Sequence, residues 1–360
     1  MADNIKKLYD QEQVDVMTWL RFPLILGVVI VHCNLFAQVT AWEGVEPEWP
    51  KWLIYIFNNF VYLTLPARVP TLFIISGYFF FRSQKKRDFY FFIDKYKRRI
   101  HSLLIPYISW NTIAIIVLFI RFNIIYEDNY TFIDYMSGYW DFIPRNNNTP
   151  ANMPLWFIRD LMVVSLIIPL FYGLLKKRIS GIILITIFSI FSICYIADIK
   201  LPIEALLFFS IGTYIAIHNI DFTKIPNHVG IISVILYFPL QIIIDNTENN
   251  TYISNSFVFL VTVIKILAAF YIVSLLFRKE ILKPTQKLTK ISFLLYAIHG
   301  IIVGVILKSL YIILDSNNPF ILLGIFITTP CIIIGITFLT YNLLSKYTPW
   351  LKKILLGNRN

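Results

Sequence analysis

Long apolar runs separated by short polar connections constrain this chain more than any other feature. Apolar residues make up 57% of its 360 residues and charged residues only 15%, whereas soluble domains average roughly 45–50% and 25%. Runs such as 182–193 lack the residue-by-residue alternation of a β-barrel strand. The pattern therefore predicts an all-α integral membrane protein. It excludes a disordered chain and, with only three cysteines, a disulfide scaffold.

Apolar windows long enough to cross a bilayer predict about ten transmembrane helices, since each needs about 20 residues. They form a single predicted transmembrane domain over residues 1–360 with no separate soluble domain. The predicted spans are 17–37, 52–81, 100–122, 153–175, 180–197, 201–217, 229–245, 256–277, 290–313 and 319–345.

Basic residues are distributed unequally between the two sides of this predicted topology. Of the 32 Lys and Arg residues, 23 fall in connections on one side and 3 in connections on the other. Positive charge is retained in the cytoplasm, so both termini are predicted to be cytoplasmic. The net charge of +11 is mostly a consequence of topology next to membrane lipids. It does not predict a nucleic-acid partner.

The first span carries two ionisable residues on one face. Arg21 and His32 are eleven residues apart, which on an α-helix leaves them about 20° apart around the axis and about 16 Å apart along it. An imidazole in the membrane is a candidate general base, because desolvation favours its neutral form. The alternative is a structural histidine bonded to a neighbouring carbonyl group.

The second span is interrupted at Pro66-Ala67-Arg68-Val69-Pro70 and continues into Ser76-Gly77-Tyr78. Two prolines break the helix, which is tolerated where the backbone faces protein or a wet cavity. Arg68 is therefore a candidate for binding an anionic ligand. An ion pair that fixes the kink explains it equally well.

The fourth span opens with Trp156 and the adjacent pair Arg159 and Asp160. Neighbours on a helix point about 100° apart, so these two need not pair with each other. Asp160 could orient His32, as a carboxylate orients a catalytic imidazole. It could equally pair with Arg68 for structural reasons.

Other polar residues within the spans carry weaker signals. Glu204, near the outer start of the sixth span, is a second candidate carboxylate facing a cavity. His299 lies around the middle of the ninth span, where a structural hydrogen bond is favoured over catalysis. Lys265 and Lys308 have no evident partner in the sequence and receive no role. No metal site is predicted.

A basic segment, Lys95-Tyr96-Lys97-Arg98-Arg99, precedes the third span at its predicted cytoplasmic end. Such residues normally mark topology or contact lipid headgroups. Arg98 and Arg99 could also hold a phosphorylated co-substrate, because arginine forms bidentate contacts with phosphate.

Five motifs together resemble the membrane acyltransferase-3 family, whose members O-acylate cell-surface sugars and other acceptors. The chain matches in the order Arg21 and His32 with ten residues between them, Val69–Tyr78, Arg99 with Ile105-Pro106-Tyr107, Leu155-Trp156-Phe157, and Leu295–His299.

The resemblance implies a membrane-bound O-acyltransferase of the bacterial plasma membrane. It would move an acetyl group from cytoplasmic acetyl-CoA, or another acyl-CoA, to a hydroxyl of an extracytoplasmic or lipid-linked saccharide. It gives His32 the family's essential histidine role, Arg21 its paired basic role, and Arg98 and Arg99 its cytoplasmic arginine motif. The residues themselves suggest His32 as general base or acyl carrier, with Asp160 as its partner. They also suggest that Arg21, Arg98 and Arg99 hold the CoA phosphates. The candidate substrate-binding residues are Arg68, Ser76, Trp156, Arg159, Glu204 and His299.

A secondary transporter or flippase with His32 as a proton relay is the rival interpretation. Transporters use broken helices around a midplane site and often contain internal repeats. The chain has one Pro-broken segment and no similarity between its halves. The acyltransferase is therefore favoured.

Overall fold

The computed structural model describes residues 2–64, 67–82, 88–125, 130–142, 148–194, 202–245, 252–283, 286–314 and 318–357. Regular secondary structure in these ranges is entirely helical, which confirms the predicted all-α class. The α-helices are α1 (Ala2–His32), α2 (Leu35–Glu43), α3 (Lys51–Thr64), α4 (Arg68–Arg82), α5 (Phe89–Arg99), α6 (Ile105–Phe119), α7 (Phe132–Ser137), α8 (Trp156–Leu175), α9 (Arg178–Cys194), α10 (Ile203–His218), α11 (Asn227–Asp245), α12 (Tyr252–Arg278), α13 (Gln286–Leu314), α14 (Pro319–Tyr347) and α15 (Pro349–Leu356).

Seven helical segments in the described ranges are long and apolar enough to cross a membrane. Two shorter apolar helices, α9 and α10, accompany them. The predicted second span is two helices, α3 and α4, and Ala67 between them has a positive φ of 48°. Pro66 of the predicted break lies outside the described residues. The protein is a multi-pass membrane protein, while the count of ten and the cytoplasmic termini stay predictions.

The first predicted span, 17–37, is not one helix. α1 ends at His32 because Asn34 leaves the helical conformation (φ −62°, ψ 99°) and caps α2. Its side-chain oxygen accepts the backbone N–H of Ala37 at 3.1 Å, the bond that makes asparagine a favoured N-cap. The Asn34 amide also donates to Oδ1 of Asn58 on α3 at 2.9 Å. A polar residue within an apolar run thus fixes His32 at a helix end.

The described chain divides into two compact units. The first consists of Met1–Leu24, Tyr62–Ile93 and Val163–Thr289. Within it, α4 and α10 approach each other closely at Gly77 and Gly212. A Cβ added to Gly77 would overlap the carbonyl oxygen of Phe209, and one added to Gly212 would overlap that of Ile74. Small residues allow this close packing, which supplies much of the helix association energy in membranes.

A buried cation in the first unit finds the partner that its sequence position does not reveal. Lys265 on α12 donates to Oε1 of Gln241 on α11, and both side chains are buried. A polar bond of this kind satisfies an ammonium group that hydrocarbon would otherwise exclude. Lys265 is therefore accounted for structurally.

The second unit consists of Ile25–Val61, Asp94–Met162 and Lys290–Asn360. Aromatic contacts connect its helices: ring centroids lie 6.4 Å apart for Trp49 and Tyr311, and 5.2 Å apart for Phe57 and Phe326. Trp110 on α6 donates its indole N–H to the carbonyl oxygen of Leu355 on α15 at 2.9 Å. These contacts lie within the second unit, which also contains the cavity described below.

The connection after α6 also packs into the second unit. Tyr135 on α7 and Phe142 are buried against Ala114 and Leu118 of α6. The backbone N–H of Ala151 then donates to the carbonyl oxygen of Gly138 at 2.8 Å. This packing fixes the short 3-10 turn Met153–Leu155 that precedes α8 and borders the cavity.

Candidate active site

His32, the last residue of α1, lies beside His299 of α13 in the second unit. Their ring centroids are 5.3 Å apart and the ring planes are inclined by 40°. His32 is half-buried, and His299 is completely buried. The two histidines that fall deepest within predicted spans are thus neighbours in the fold. Their sequence separation gave no sign of this pairing.

The hydrogen bonding of His299 defines its tautomer. Nδ1 lies 3.1 Å from the carbonyl oxygen of Leu295, one helical turn earlier. A carbonyl oxygen only accepts, so Nδ1 carries the proton and Nε2 presents a lone pair in the neutral ring. Nε2 is buried and has no hydrogen-bond partner among the described residues. The structural hydrogen bond expected for His299 is therefore present at Nδ1. It leaves Nε2 available to accept a further hydrogen bond.

Buried amides attach this part of α13 to the turn before α8. Asn152 donates through its side chain to the carbonyl oxygen of Ala297 at 3.0 Å, and its backbone N–H donates to Oδ1 of Asn111 at 3.0 Å. The Tyr296 hydroxyl donates to the carbonyl oxygen of Pro154. Gly300 permits this contact, because an added Cβ would meet Oδ1 of Asn152, and Cδ of Pro154 at 2.6 Å. These contacts join α13 to the turn before α8 where both border the cavity.

A cavity of about 820 Å³ opens next to His32. It is lined by the end of α1, by α2, by the end of α6, by the turn before α8 and by α13, all of the second unit. Gly300 and Ile312 both line it, so it extends about 18 Å along α13. Besides His32, its polar or charged lining residues are Gln38, Arg121, Lys308 and Ser309. The predicted topology places Trp42 in an outer connection, and it places Arg121 and Ile312 near the outer ends of their predicted spans.

Arg159 and Asp160 pair with each other, which their adjacent positions on a helix allowed but did not require. Nε of Arg159 lies 2.9 Å from Oδ1 of Asp160, and the guanidinium also donates to the carbonyl oxygens of Trp140 and Asn148 at 2.8 and 3.0 Å. Arg159 is buried, and a buried guanidinium attracts the nearest carboxylate strongly enough to overcome the angular offset. The carboxylate of Asp160 therefore accepts from the neighbouring guanidinium, while its predicted role beside His32 stays a prediction. Trp156 is half-buried and does not line the cavity.

The remaining predicted substrate-binding residues belong to the first unit. Arg68 begins α4, and Ser76 donates its hydroxyl to the carbonyl oxygen of Leu72 at 2.8 Å in the same helix. Glu204 is exposed in the first turn of α10. The lining of the cavity in the second unit contains none of the three.

The three arginines predicted to bind the acyl donor have different surroundings. The Arg21 guanidinium lies 4.5 Å from the centroid of the Phe79 ring within the first unit. In the second unit, Arg98 forms an exposed ion pair with Asp94 at 2.9 Å, one turn earlier on α5. Arg99 is half-buried at the end of that helix.

The cavity wall also contains residues for which the sequence predicted no role. Gly300, Gly304 and Lys308 follow each other at four-residue intervals, which places them on one face of α13. This spacing is visible in the sequence and, together with His299 at its start, could have identified the lining face. Trp42 and Arg121 had no comparable signal, because each lies at a helix end where an interfacial position is the default.

The fold and the cavity define a multi-pass helical membrane protein with a histidine beside a cavity. Comparison of the sequence with known families then identifies the family. The acyltransferase-3 family, described as an acyltransferase domain, matches residues 14–339. The chain therefore belongs to this acyltransferase family, as its motifs indicated.

One curated relative matches nearly the whole chain. It is the succinoglycan biosynthesis protein ExoH of Rhizobium meliloti (strain 1021), which is 23% identical over 353 residues. The match spans 94% of this chain and 91% of the relative. No solved structure matches the chain.

Proposed function

We propose that this acyltransferase of the bacterial plasma membrane moves an acetyl group from acetyl-CoA to a saccharide hydroxyl on the outer side. The observation that carries the proposal is the placement of His32 at a cavity of about 820 Å³, a volume within the roughly 300–1,000 Å³ of small-molecule sites. The acceptor class also has support from the relative, whose name assigns it to succinoglycan biosynthesis.

His32 is the general base of the proposed reaction. Its imidazole takes the proton of the acceptor hydroxyl, and the oxygen forms a bond with the thioester carbonyl carbon. The carbon–sulfur bond then breaks, and the leaving CoA sulfur takes the proton from His32. In a second route the acyl group first moves to the His32 nitrogen with release of CoA, and the hydroxyl then attacks the acyl-imidazole. A burst of CoA release in the presence of donor and absence of acceptor distinguishes the routes, because only the second releases CoA before the acceptor reacts.

The donor side of the proposal assigns the CoA phosphates to Arg21, Arg98 and Arg99. Arg21 and His32 are eleven residues apart in the sequence, which corresponds to about 16 Å of helix rise, a distance of the order of an extended pantetheine arm. Among the described residues, Arg98 pairs with Asp94 in an exposed i,i+4 ion pair, worth about 0.3–0.5 kcal/mol. A phosphate group would therefore displace Asp94 at little cost.

The test uses purified full-length protein in detergent or vesicles with radiolabelled acetyl-CoA and oligosaccharide acceptors. Wild type should release CoA and label the acceptor, and His32→Ala should do neither while eluting normally on size exclusion. His228→Ala, at an exposed histidine at the start of α11, is the matched control and should remain active. Full turnover in His32→Ala contradicts the assignment. A wild-type protein that neither binds acetyl-CoA nor releases CoA would instead favour the transporter.

A further inference from the structure

The charged residues of the cavity in the second unit all have the same sign. Arg121 and Lys308 line it together with His32, and no Asp or Glu is among the described residues of its wall. The rest of the wall is mostly apolar, so the field of these cations is weakly screened inside it. An anion entering this cavity would be attracted toward Arg121 and Lys308.

Lys308 is an exposed cation on α13 that lines the cavity. Among the described residues, its ammonium group makes a cation–π contact with Trp42, with Nζ 5.9 Å from the ring centroid. It lies six residues before the end of α13, about 9 Å below the helix end. A lysine that merely extended to the interface would face lipid, whereas Lys308 faces the cavity. An intramembrane cation usually has a functional partner.

The arrangement of the wall specifies where the negative charge would lie. Lys308 is nine residues beyond His299 on α13, which places it about 13 Å along the helix from the level of the two histidines. Trp42, Gln38 and Ser309 lie in the same wall and offer a ring face and hydrogen-bonding groups suited to a sugar. The charged group and the acylated hydroxyl would thus lie on different sugar residues of an oligosaccharide.

We propose that Lys308 and Arg121 select an anionic saccharide acceptor, one that carries a carboxylate or a phosphate on a unit remote from the reacting hydroxyl. This inference rests on the proposed function, whose acceptor it specifies. The charge has two possible sources, a uronate within the glycan or the pyrophosphate of a lipid-linked oligosaccharide. Both provide the same anionic oxygens for a lysine and an arginine.

Equilibrium binding to His32→Ala protein in nanodiscs tests the inference without turnover. Three probes are titrated: an oligogalacturonate, its carboxyl-reduced neutral form, and a pyrophosphate-linked neutral oligosaccharide. At least one anionic probe should bind about tenfold more tightly than the neutral form, a difference of about 1.4 kcal/mol. Higher salt should reduce that preference. The anionic probe that shows the preference identifies the source of the charge.

Charge variants assign the preference to the cavity. Lys308→Gln and Arg121→Gln should each remove most of the preference for the anionic probe, and Lys308→Arg should retain it. Lys51→Gln, an exposed lysine at the start of α3 in the same unit, is the matched control and should behave like the parent protein. Equal binding of anionic and neutral probes, or a preference that survives both Gln variants, overturns the inference. CoA release by wild type with the neutral acceptor would then show that the proposed function holds even though the inference about an anionic acceptor is wrong.

Discussion

Replacement of Gly304 by Leu should obstruct the acceptor cavity without harming the fold. Gly304 lines the cavity, and a Cβ added there would meet no heavy atom within 4 Å. The new side chain would therefore project into space that the acceptor needs. Overfilling a packed site costs about 1–3 kcal/mol, so we expect the KM for the acceptor to rise by roughly 5- to 150-fold.

The same substitution should stabilise helix α13. Glycine in a helix interior is less favourable than alanine by about 0.8–1.0 kcal/mol, and leucine is nearly as favourable as alanine. The thermal midpoint in detergent should therefore stay unchanged or rise while acceptor acylation falls. This opposite movement separates a blocked cavity from a damaged protein.

The assay compares wild type, Gly304→Leu and the matched control Gly335→Leu. Gly335 lies on α14 in the same unit, away from the cavity, and an added Cβ there also meets nothing within 4 Å. Both variants gain helix propensity, but only Gly304→Leu should change the KM for the acceptor, and neither should change binding of acetyl-CoA. A folded Gly304→Leu protein with a wild-type KM would refute the assignment of this cavity to the acceptor.

Three further outcomes follow from contacts elsewhere in the molecule. Gly77→Leu should abolish the yield of monodisperse protein, because its side chain would overlap the backbone of Phe209. Asp94→Asn should lower the KM for acyl-CoA about twofold, since it removes an exposed ion pair with Arg98 worth about 0.3–0.5 kcal/mol. Thr131 caps α7, and its backbone N–H and then its hydroxyl donate to the Asp134 carboxylate and lower the pKa of that carboxyl. The cap should therefore be complete above the unfolded pKa of about 3.9 and be lost as the pH falls through the lower folded pKa.

Each of these outcomes has a separate check. Gly335→Leu should give a normal yield beside Gly77→Leu. An unchanged or higher KM in Asp94→Asn would argue against phosphate binding by Arg98. Hydrogen exchange of the α7 amides should accelerate in acid for wild type, whereas Asp134→Asn should lose that pH dependence. Exchange that accelerates equally in both proteins would exclude the carboxyl as the cause.

The apolar runs and basic connections were sufficient to predict the helical membrane class, because burial in lipid requires whole helices of apolar residues. They did not predict where a helix stops within a run. Asn34 ends α1 through a local side-chain bond that hydropathy averages do not register. The two-helix form of the second span was signalled only by its prolines.

The sequence was sufficient to identify His32 as a candidate, but its surroundings could not be predicted. His32 followed from its spacing to Arg21 on one helix, which is a local geometric argument. The contact with His299 and the pairing of Arg159 with Asp160 depend on how helices and turns pack. Helical periodicity gives the faces of each helix but not which faces meet.

The reciprocal glycines of α4 and α10 have a genetic consequence. At Gly77 and Gly212 the atoms that a side chain would meet belong to the backbone of the opposite helix. No substitution at another residue can remove backbone atoms. At Gly230 the obstacle is the side chain of Tyr271. A suppressor screen should therefore recover changes at Tyr271 that rescue Gly230→Ala. It should recover no second-site change at a contacting residue that rescues Gly77→Ala, and reversion would be the only local solution.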